Sequence, residues 1–325
     1  MKKLVSIQML RGIAASMVSI YHFTVGSAQY MAALPTVQKI SRLGEYGVQV
    51  FFVISGFVLP FALYNTRYHV SSFGKFLIRR IIRIDPPFLA SICVVIILGY
   101  ASTLSPFYRD IGFTVNGIDL LLHLGYLNSF FERPWLNPVY WTLAIEFQFY
   151  ILLGLLFGLF ARSNNTIRAA IVIAFLALAL LIPKNNLIFP HAPLFFMGIF
   201  SFFYFEKLID TKMLLVSTAI FAVVGAFSYN WIGTLFGVLT VAGIIFWNTP
   251  SRAILFLGTI SYSMYLLHVP FGTRITNLVE GRTENIYIRL GAIAAAFIFT
   301  LVVSWIFYRV IEKRSIEWSK KVELE

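Results

Sequence analysis

Long apolar runs separated by short polar segments make up nearly the whole chain. Ten of these runs, near 4–25, 46–64, 84–104, 138–160, 167–182, 188–205, 212–229, 231–247, 253–272 and 286–311, read as helices that cross about 30 Å of hydrocarbon. The connections are brief except for 103–137. There, Gly117 to Leu127 sets Asp119 and His123 among leucines, the pattern of a helix lying at a membrane interface. No internal repeat is visible, and the N-terminal run is not expected to be a cleaved leader, since it carries Gln8, Arg11 and His22 and further spans follow it. The predicted fold is all-α and polytopic: one transmembrane domain over 1–325 with about ten spans.

Composition strengthens that reading. Apolar and aromatic residues are 59% of the 325 and charged residues 12%, where a soluble domain needs about 25% charged. Mean hydropathy is +0.81. The net charge of +12 is therefore first a topology signal. With both termini inside, 17 lysines and arginines fall on inner segments and 8 on outer ones, with Arg11 inside the first span. This bias predicts cytoplasmic termini. The basic residues are spread over short loops, which speaks against nucleic-acid binding. Cys93 is the single cysteine and lies in an apolar run, so no internal disulfide can form and no metal site is suggested.

Titratable side chains inside spans are costly in lipid and so become the functional candidates. Arg11 and His22 are eleven residues apart, close to three whole turns and about 16 Å of rise. They share one helix face, with Arg11 towards the inside and His22 towards the outside. Such a face suits the wall of a transmembrane tunnel; the plainer alternative is that both cap neighbouring helices. Arg79, Arg80 and Arg83 cluster at the inner mouth of the third span, Arg79 and Arg83 on one face. Three guanidiniums in one turn can seat phosphates through bidentate forks, or anchor lipid headgroups. Pro86 and Pro87 are expected to kink or restart the helix just past them. In the fourth span Glu146 lies about 12 Å deep, near the level of His22, so a histidine or arginine is its expected partner. A structural Glu–Arg staple is the alternative. Tyr262, Tyr265 and His268 share a face of the ninth span, which fits an acceptor-binding surface or, for Tyr265, an interfacial aromatic belt.

Some signatures are missing. No two glycines stand two apart, and the Gly112–Gly117 pair is followed by Ile118 and Asp119, so neither a dinucleotide fingerprint nor a phosphate loop is present. None of the five histidines has an aspartate five residues on, and there is no His-Glu-x2-His helix. Any chemistry must use isolated histidines and carboxylates within the membrane.

Five ordered segments resemble the acyltransferase 3 family of bacterial inner-membrane acyltransferases. Leu10-Arg11-Gly12-Ile13-Ala14-Ala15 with His22 looks like its Arg-x10-His signature, and Gly44 through Phe57 is similar to its second-span motif. Arg79, Arg80, Arg83, Ile84 and Pro86 match its arginine motif. Trp141, Leu143, Glu146, Phe149 and Tyr150 match its fourth-span pattern, and Gly258 to Pro270 looks like its late Ser-Tyr-Ser-x-Tyr-Leu-Leu-His segment. Gln49 stands where an aspartate is common, Thr142 where serine is common, and Asp85 where an aromatic is frequent.

The resemblance implies a ten-helix enzyme of the cytoplasmic membrane that moves acyl groups, usually acetyl, onto hydroxyls of envelope or exported sugars. Exopolysaccharide O-acetyltransferases are the nearest kind. No permanently bound cofactor is implied; the donor is acetyl-CoA or another acyl-CoA, and the acceptor a glycan or lipid-linked sugar. On this reading Arg79, Arg80 and Arg83, with Arg11 above them, hold the donor. His22 takes the proton of the acceptor hydroxyl, and Glu146 orients the imidazole. Tyr262, Tyr265, His268 and Gln49 form the acceptor side. An acyl-histidine intermediate is a second route. The rival class is a translocator of acyl groups or lipid-linked sugars that uses the same polar path without transferase chemistry.

Overall fold

A computed structural model describes residues 4–25, 34–104, 112–162, 165–280 and 282–324. Lys2, Lys3 and Arg109, all part of the charge count, lie outside the described residues, as does the side chain of Arg162. Fifteen α-helices are present among the described residues: α1 Leu4–Val25, α2 Pro35–Arg42, α3 Gly47–Asn65, α4 Phe73–Thr103, α5 Gly117–Leu124, α6 Trp141–Arg162, α7 Asn165–Leu181, α8 Ala192–Phe205, α9 Thr211–Ser228, α10 Trp231–Phe246, α11 Arg252–Thr259, α12 Ser261–Leu267, α13 Arg274–Glu280, α14 Ile286–Phe307 and α15 Lys313–Ser319. Wider π-helical turns join α12 to α13 at His268–Thr273 and α14 to α15 at Tyr308–Glu312. No strand occurs among the described residues.

The all-α membrane fold holds, but the ten spans are not equivalent. Among the described residues, five helical stretches are long and apolar enough to cross a bilayer: Pro35–Asn65, Val70–Thr103, Trp141–Phe160, Thr211–Ser228 and Ile286–Ser319. A sixth, Arg252–Thr259 with Ser261–Glu280, is bent by 59°. Three other expected spans are shorter apolar helices. Of these, α8 is 14 residues long and buries Ala192 through Phe203 without a break. A helix apolar on every side can be a lipid-facing span or the centre of a protein core, and apolar content does not separate the two. Burial identifies α8 as the core.

Close helix contacts build the frame. A Cβ on Gly56 of α3 would meet the Phe195 carbonyl oxygen at 2.2 Å, and one on Gly198 of α8 the Val53 carbonyl oxygen at 2.0 Å. This reciprocal small-residue crossing lets α3 and α8 pack backbone to backbone. Gly12 of α1 and Gly258 of α11 do the same, a Cβ on Gly258 falling 1.9 Å from the Gln8 carbonyl oxygen. Gln8 is occupied structurally there, donating to Leu255 O at 3.1 Å and Thr259 Oγ1 at 2.8 Å.

Of the two outcomes expected at Pro86 and Pro87, a kink or a restart of α4, the restart does not occur. The helix runs unbroken from Phe73 through Pro86 and Pro87, so its arginines lie within the helix rather than ahead of it. Bundled membrane helices tolerate proline where neighbours supply polar contacts. The prolines free the carbonyls of Ile82 and Arg83; the Tyr262 hydroxyl donates close by, to the Ile84 carbonyl at 3.0 Å. The expected interfacial helix is α5: Ile118, Leu121 and Leu124 are exposed on it while His123 is buried.

Candidate active site

Two cavities meet along α1, α3, α6 and α12. The first encloses about 120 Å³ and is lined by Arg11 of α1, Ser55 of α3, Arg80 and Arg83 of α4, Glu146 and Tyr150 of α6, Tyr262 of α12 and Glu312. Ser55 Oγ donates a short hydrogen bond to Glu146 Oε1. Glu312 is buried and accepts from the Ser263 backbone N–H at 3.1 Å and from Ser263 Oγ at 2.5 Å. The Arg80 guanidinium lies 5.6 Å from the Phe76 ring centroid and 5.8 Å from that of Tyr150. Its Nε is buried with no hydrogen-bond partner. Three guanidiniums against two carboxylates leave the cavity cationic, and an unpartnered buried N–H is a standing demand for an acceptor.

The second cavity encloses about 270 Å³ and is lined by Tyr21, His22, Glu45, Tyr46, Gln49, Trp141, Tyr229 and Asn230, among others. Its walls are aromatic and amide. Gln49 is buried, and its Nε2 donates to the Tyr229 hydroxyl at 3.0 Å while Oε1 has no partner. Asn230 Oδ1 caps α10, accepting from Ile232 N at 2.8 Å and Gly233 N at 3.1 Å. Tyr21 and Tyr46 hydrogen-bond to Glu45.

Val48 and Tyr265 line both cavities and form the divide. The Tyr265 hydroxyl lies 2.6 Å from Thr142 Oγ1 and donates to the Val139 carbonyl at 3.0 Å. Tyr265 is therefore a buried partition, not a residue of an interfacial belt.

The face shared by Arg11 and His22 opens at its two ends into different cavities, as a path through the protein requires. Arg80 and Arg83 line the first cavity, whereas Arg79 does not. The i, i+3 pair, not the expected i, i+4 pair, points inward, because α6 and α12 meet α4 on that side. Glu146 and His22 do not pair: the carboxylate lies in the arginine cavity on Ser55, and no hydrogen bond or ion pair joins it to His22. Equal depth along the membrane normal does not bring two helices' faces together. Of the expected acceptor-side set, Gln49 lines the outer cavity, Tyr265 the divide and Tyr262 the arginine cavity. His268 is fully buried with its ring centroid 5.1 Å from that of His22.

Ser55, Tyr150 and Glu312 on one side, and Glu45, Tyr229 and Asn230 on the other, were not singled out by sequence. Ser55, Tyr150 and Glu45 sit inside motif segments and could have been found there. Glu312 is an acid just past the last apolar run, among Arg309, Lys313 and Arg314, which hides it as a solvated end. Asp85, atypical for the motif, accepts from the Tyr126 hydroxyl at 2.8 Å, and Tyr126 stacks on Phe88 and Phe147. That residue secures the 117–137 segment to α4.

A family model described as an acyltransferase domain matches residues 4–309. Among curated proteins, the O-acetyltransferase OatA of Staphylococcus aureus, in strains NCTC 8325 / PS 47, COL and MRSA252, is similar to the chain at 28% identity over 185 residues. That alignment covers 53% of this chain and 28% of each relative, so the chain matches well under half of those proteins. No solved structure matches significantly.

Proposed function

The chain belongs to the acyltransferase 3 family, and from that premise we propose that it transfers an acyl group, acetyl first of all, from cytoplasmic acyl-CoA to a hydroxyl of an envelope or exported glycan or its lipid-linked precursor. One observation carries the reading: a cationic cavity and an aromatic, amide-lined cavity abut at Val48 and Tyr265, with His22 on the far side of the divide from Arg11, Arg80 and Arg83. The similarity to proteins named O-acetyltransferase favours acetyl.

The arginine cavity faces the cytoplasm in the orientation that the lysine and arginine bias favours. Arg80 and Arg83 hold donor phosphates from the cavity wall through charge-assisted hydrogen bonds. At about 120 Å³ the cavity suits the pantetheine arm rather than the nucleotide. The thioester then reaches the divide from the inside as the acceptor hydroxyl reaches it from the outer cavity. Trp141 and Tyr229 offer faces for a sugar ring, and Gln49 and Asn230 offer amides for its hydroxyls. His22 takes the hydroxyl proton as oxygen attacks the thioester carbonyl, and returns it to the departing CoA thiolate. Glu146 and Glu312 line the same cavity and offset part of the charge of its arginines. The protein acts as a multi-pass protein of the bacterial cytoplasmic membrane with both ends inside.

The test is a thermal-shift titration of the purified full chain with acetyl-CoA, paired with transfer of labelled acetyl to a glycan. Binding of the donor raises Tm by linkage, and label moves with release of free CoA. A translocator without transferase chemistry releases no CoA, and that result overturns the reading.

A further inference from the structure

We propose that His268 is the positioning residue of His22, taking the place that a carboxylate holds in most nucleophile–base triads. This rests on the reading of His22 as the general base. The observation behind it is a buried group that the mechanism above leaves unused. His268 is fully enclosed. Its Nδ1 lies 3.1 Å from the Met264 carbonyl oxygen, an acceptor, so Nδ1 carries the proton. Nε2 is then a bare lone pair, and it is buried with no hydrogen-bond partner. The ring is surrounded by Phe23, Tyr265 and His22, with centroids 6.4, 5.8 and 5.1 Å away. Of the three, His22 is the one with a ring N–H to offer. Imidazole nitrogens lie on the ring perimeter and the histidine χ2 torsion is soft, so at 5.1 Å a rotation of His22 brings a nitrogen within hydrogen-bond reach of Nε2.

The backbone supports the arrangement. His268 opens the π-helical turn His268–Thr273, a wide turn of the kind often found at functional sites. Gly272 in that turn sits against Phe23, where a Cβ would fall 2.1 Å from the ring, so the turn is clamped to α1 directly beside His22. The position of His268 is thus set independently of any substrate.

The chemical consequence follows from the tautomer. Held with its proton on Nδ1, His268 can only accept at Nε2. It therefore selects the His22 tautomer whose near nitrogen is protonated, and leaves the far nitrogen bare for the acceptor hydroxyl. After proton transfer His22 is an imidazolium whose near N–H still points at His268. The partner is neutral, so no ion pair holds the charge there, and the proton passes on to the CoA thiolate. No carboxylate is needed, which agrees with Glu146 lying in the other cavity.

Two substitutions separate positioning from packing. His268→Asn keeps a side-chain N–H near Nδ1 for Met264 and removes the acceptor at Nε2. His268→Gln places an amide oxygen near Nε2. With the purified full chain, His268→Asn is expected to lower kcat by about 10–100-fold, with KM for acetyl-CoA and for glycan within about twofold. His268→Gln is expected to recover most of the loss. Equal rates in the two variants, or an effect confined to glycan KM, overturns the proposal. A second measurement needs no variant: in wild-type protein labelled with 15N-histidine, an N–H···N coupling between the two rings is expected, and its absence overturns the proposal as well. If His22→Ala keeps near-normal turnover, the base assignment fails and this inference falls with it. If His22→Ala is inactive while His268→Asn is not, only the inference falls.

Discussion

The two cavities either side of Tyr265 differ in how they handle polarity. In the inner one, Arg11, Arg80 and Arg83 face Glu146 and Glu312 across about 120 Å³, and hydroxyls of Ser55 and Ser263 hold the carboxylates. In the outer one, about 270 Å³ is bounded mainly by rings and amides, with Glu45 and His22 among the lining. Charge buried at close quarters binds a charged group strongly. A wider chamber of rings and amides suits a neutral, hydroxyl-bearing group. On the proposed function, the separation would let one protein hold a polyanionic donor and a neutral acceptor without either compromising the other's surroundings. The comparison predicts that substitutions sort by cavity.

The largest effect is expected at His22. His22→Ala should cost about 10²–10⁴-fold in transfer and leave acetyl-CoA binding unchanged, because a base acts on the barrier and not on the donor's bound state. Measured turnover with parallel donor titration checks it. Weakened donor binding in this variant would break the division between the cavities.

Arg80→Ala and Arg83→Ala should act the other way. Losing a charge-assisted hydrogen bond costs about 1.5–3 kcal/mol, or roughly 10–150-fold in donor affinity. Glycan KM should stay within about twofold, and Arg79→Ala, off the cavity wall, should do little. Unchanged donor affinity at all three positions, with the protein still folded in the membrane, would instead assign the cluster to lipid headgroups.

Glu146→Gln sharpens the same point at smaller scale. It keeps an acceptor for Ser55 but removes a negative charge that competes with phosphate for the arginines. Acetyl-CoA binding is expected to tighten by about three- to tenfold, with kcat nearly unchanged. A fall in kcat comparable to that of His22→Ala would place Glu146 in the proton transfer.

The smallest effect concerns the segment that leads into the outer wall. His123 is fully buried, Nε2 accepting from Leu136 N–H at 3.0 Å and Nδ1 lying 2.5 Å from the Asp119 carbonyl, and Arg133 pairs with Asp119. Burial pushes the His123 pKa below its ordinary value. A histidine that is harder to protonate when packed contributes stability in full above about pH 6.5, and that stability is lost progressively as pH falls below it. Acidification should therefore raise protease cleavage within 117–137 and loosen glycan binding before donor binding. His123→Asn should flatten that pH response.

Much of this was legible in the sequence. Scarce charge and long apolar runs required a helical membrane protein, since nothing else covers such a surface. Arg11, His22 and Glu146 stood out because polar side chains in apolar helices need a reason, Arg80 and Arg83 as part of a triplet at the mouth of a span, and Gln49 only through the resemblance; each lines one of the two cavities. Periodicity also placed Arg11 and His22 on one face, since both lie on one rigid helix.

Relations between helices had to come from the tertiary structure. Which carboxylate meets which cation depends on the rotation of α6 against α1 and α4, and sequence spacing carries no information on it; so Glu146 went to Ser55 and away from His22. The same applies to α8, whose apolar run reads as a span until its neighbours are seen to bury it, and to α4, which continues as one helix through Pro86 and Pro87. His268 is the clearest case. Its place at the end of a span was readable, but its bare Nε2 beside His22 exists only because Gly272 lets the π-helical turn close onto Phe23. Local chemistry is written residue by residue along one helix, whereas a site between helices is set by how their faces pack.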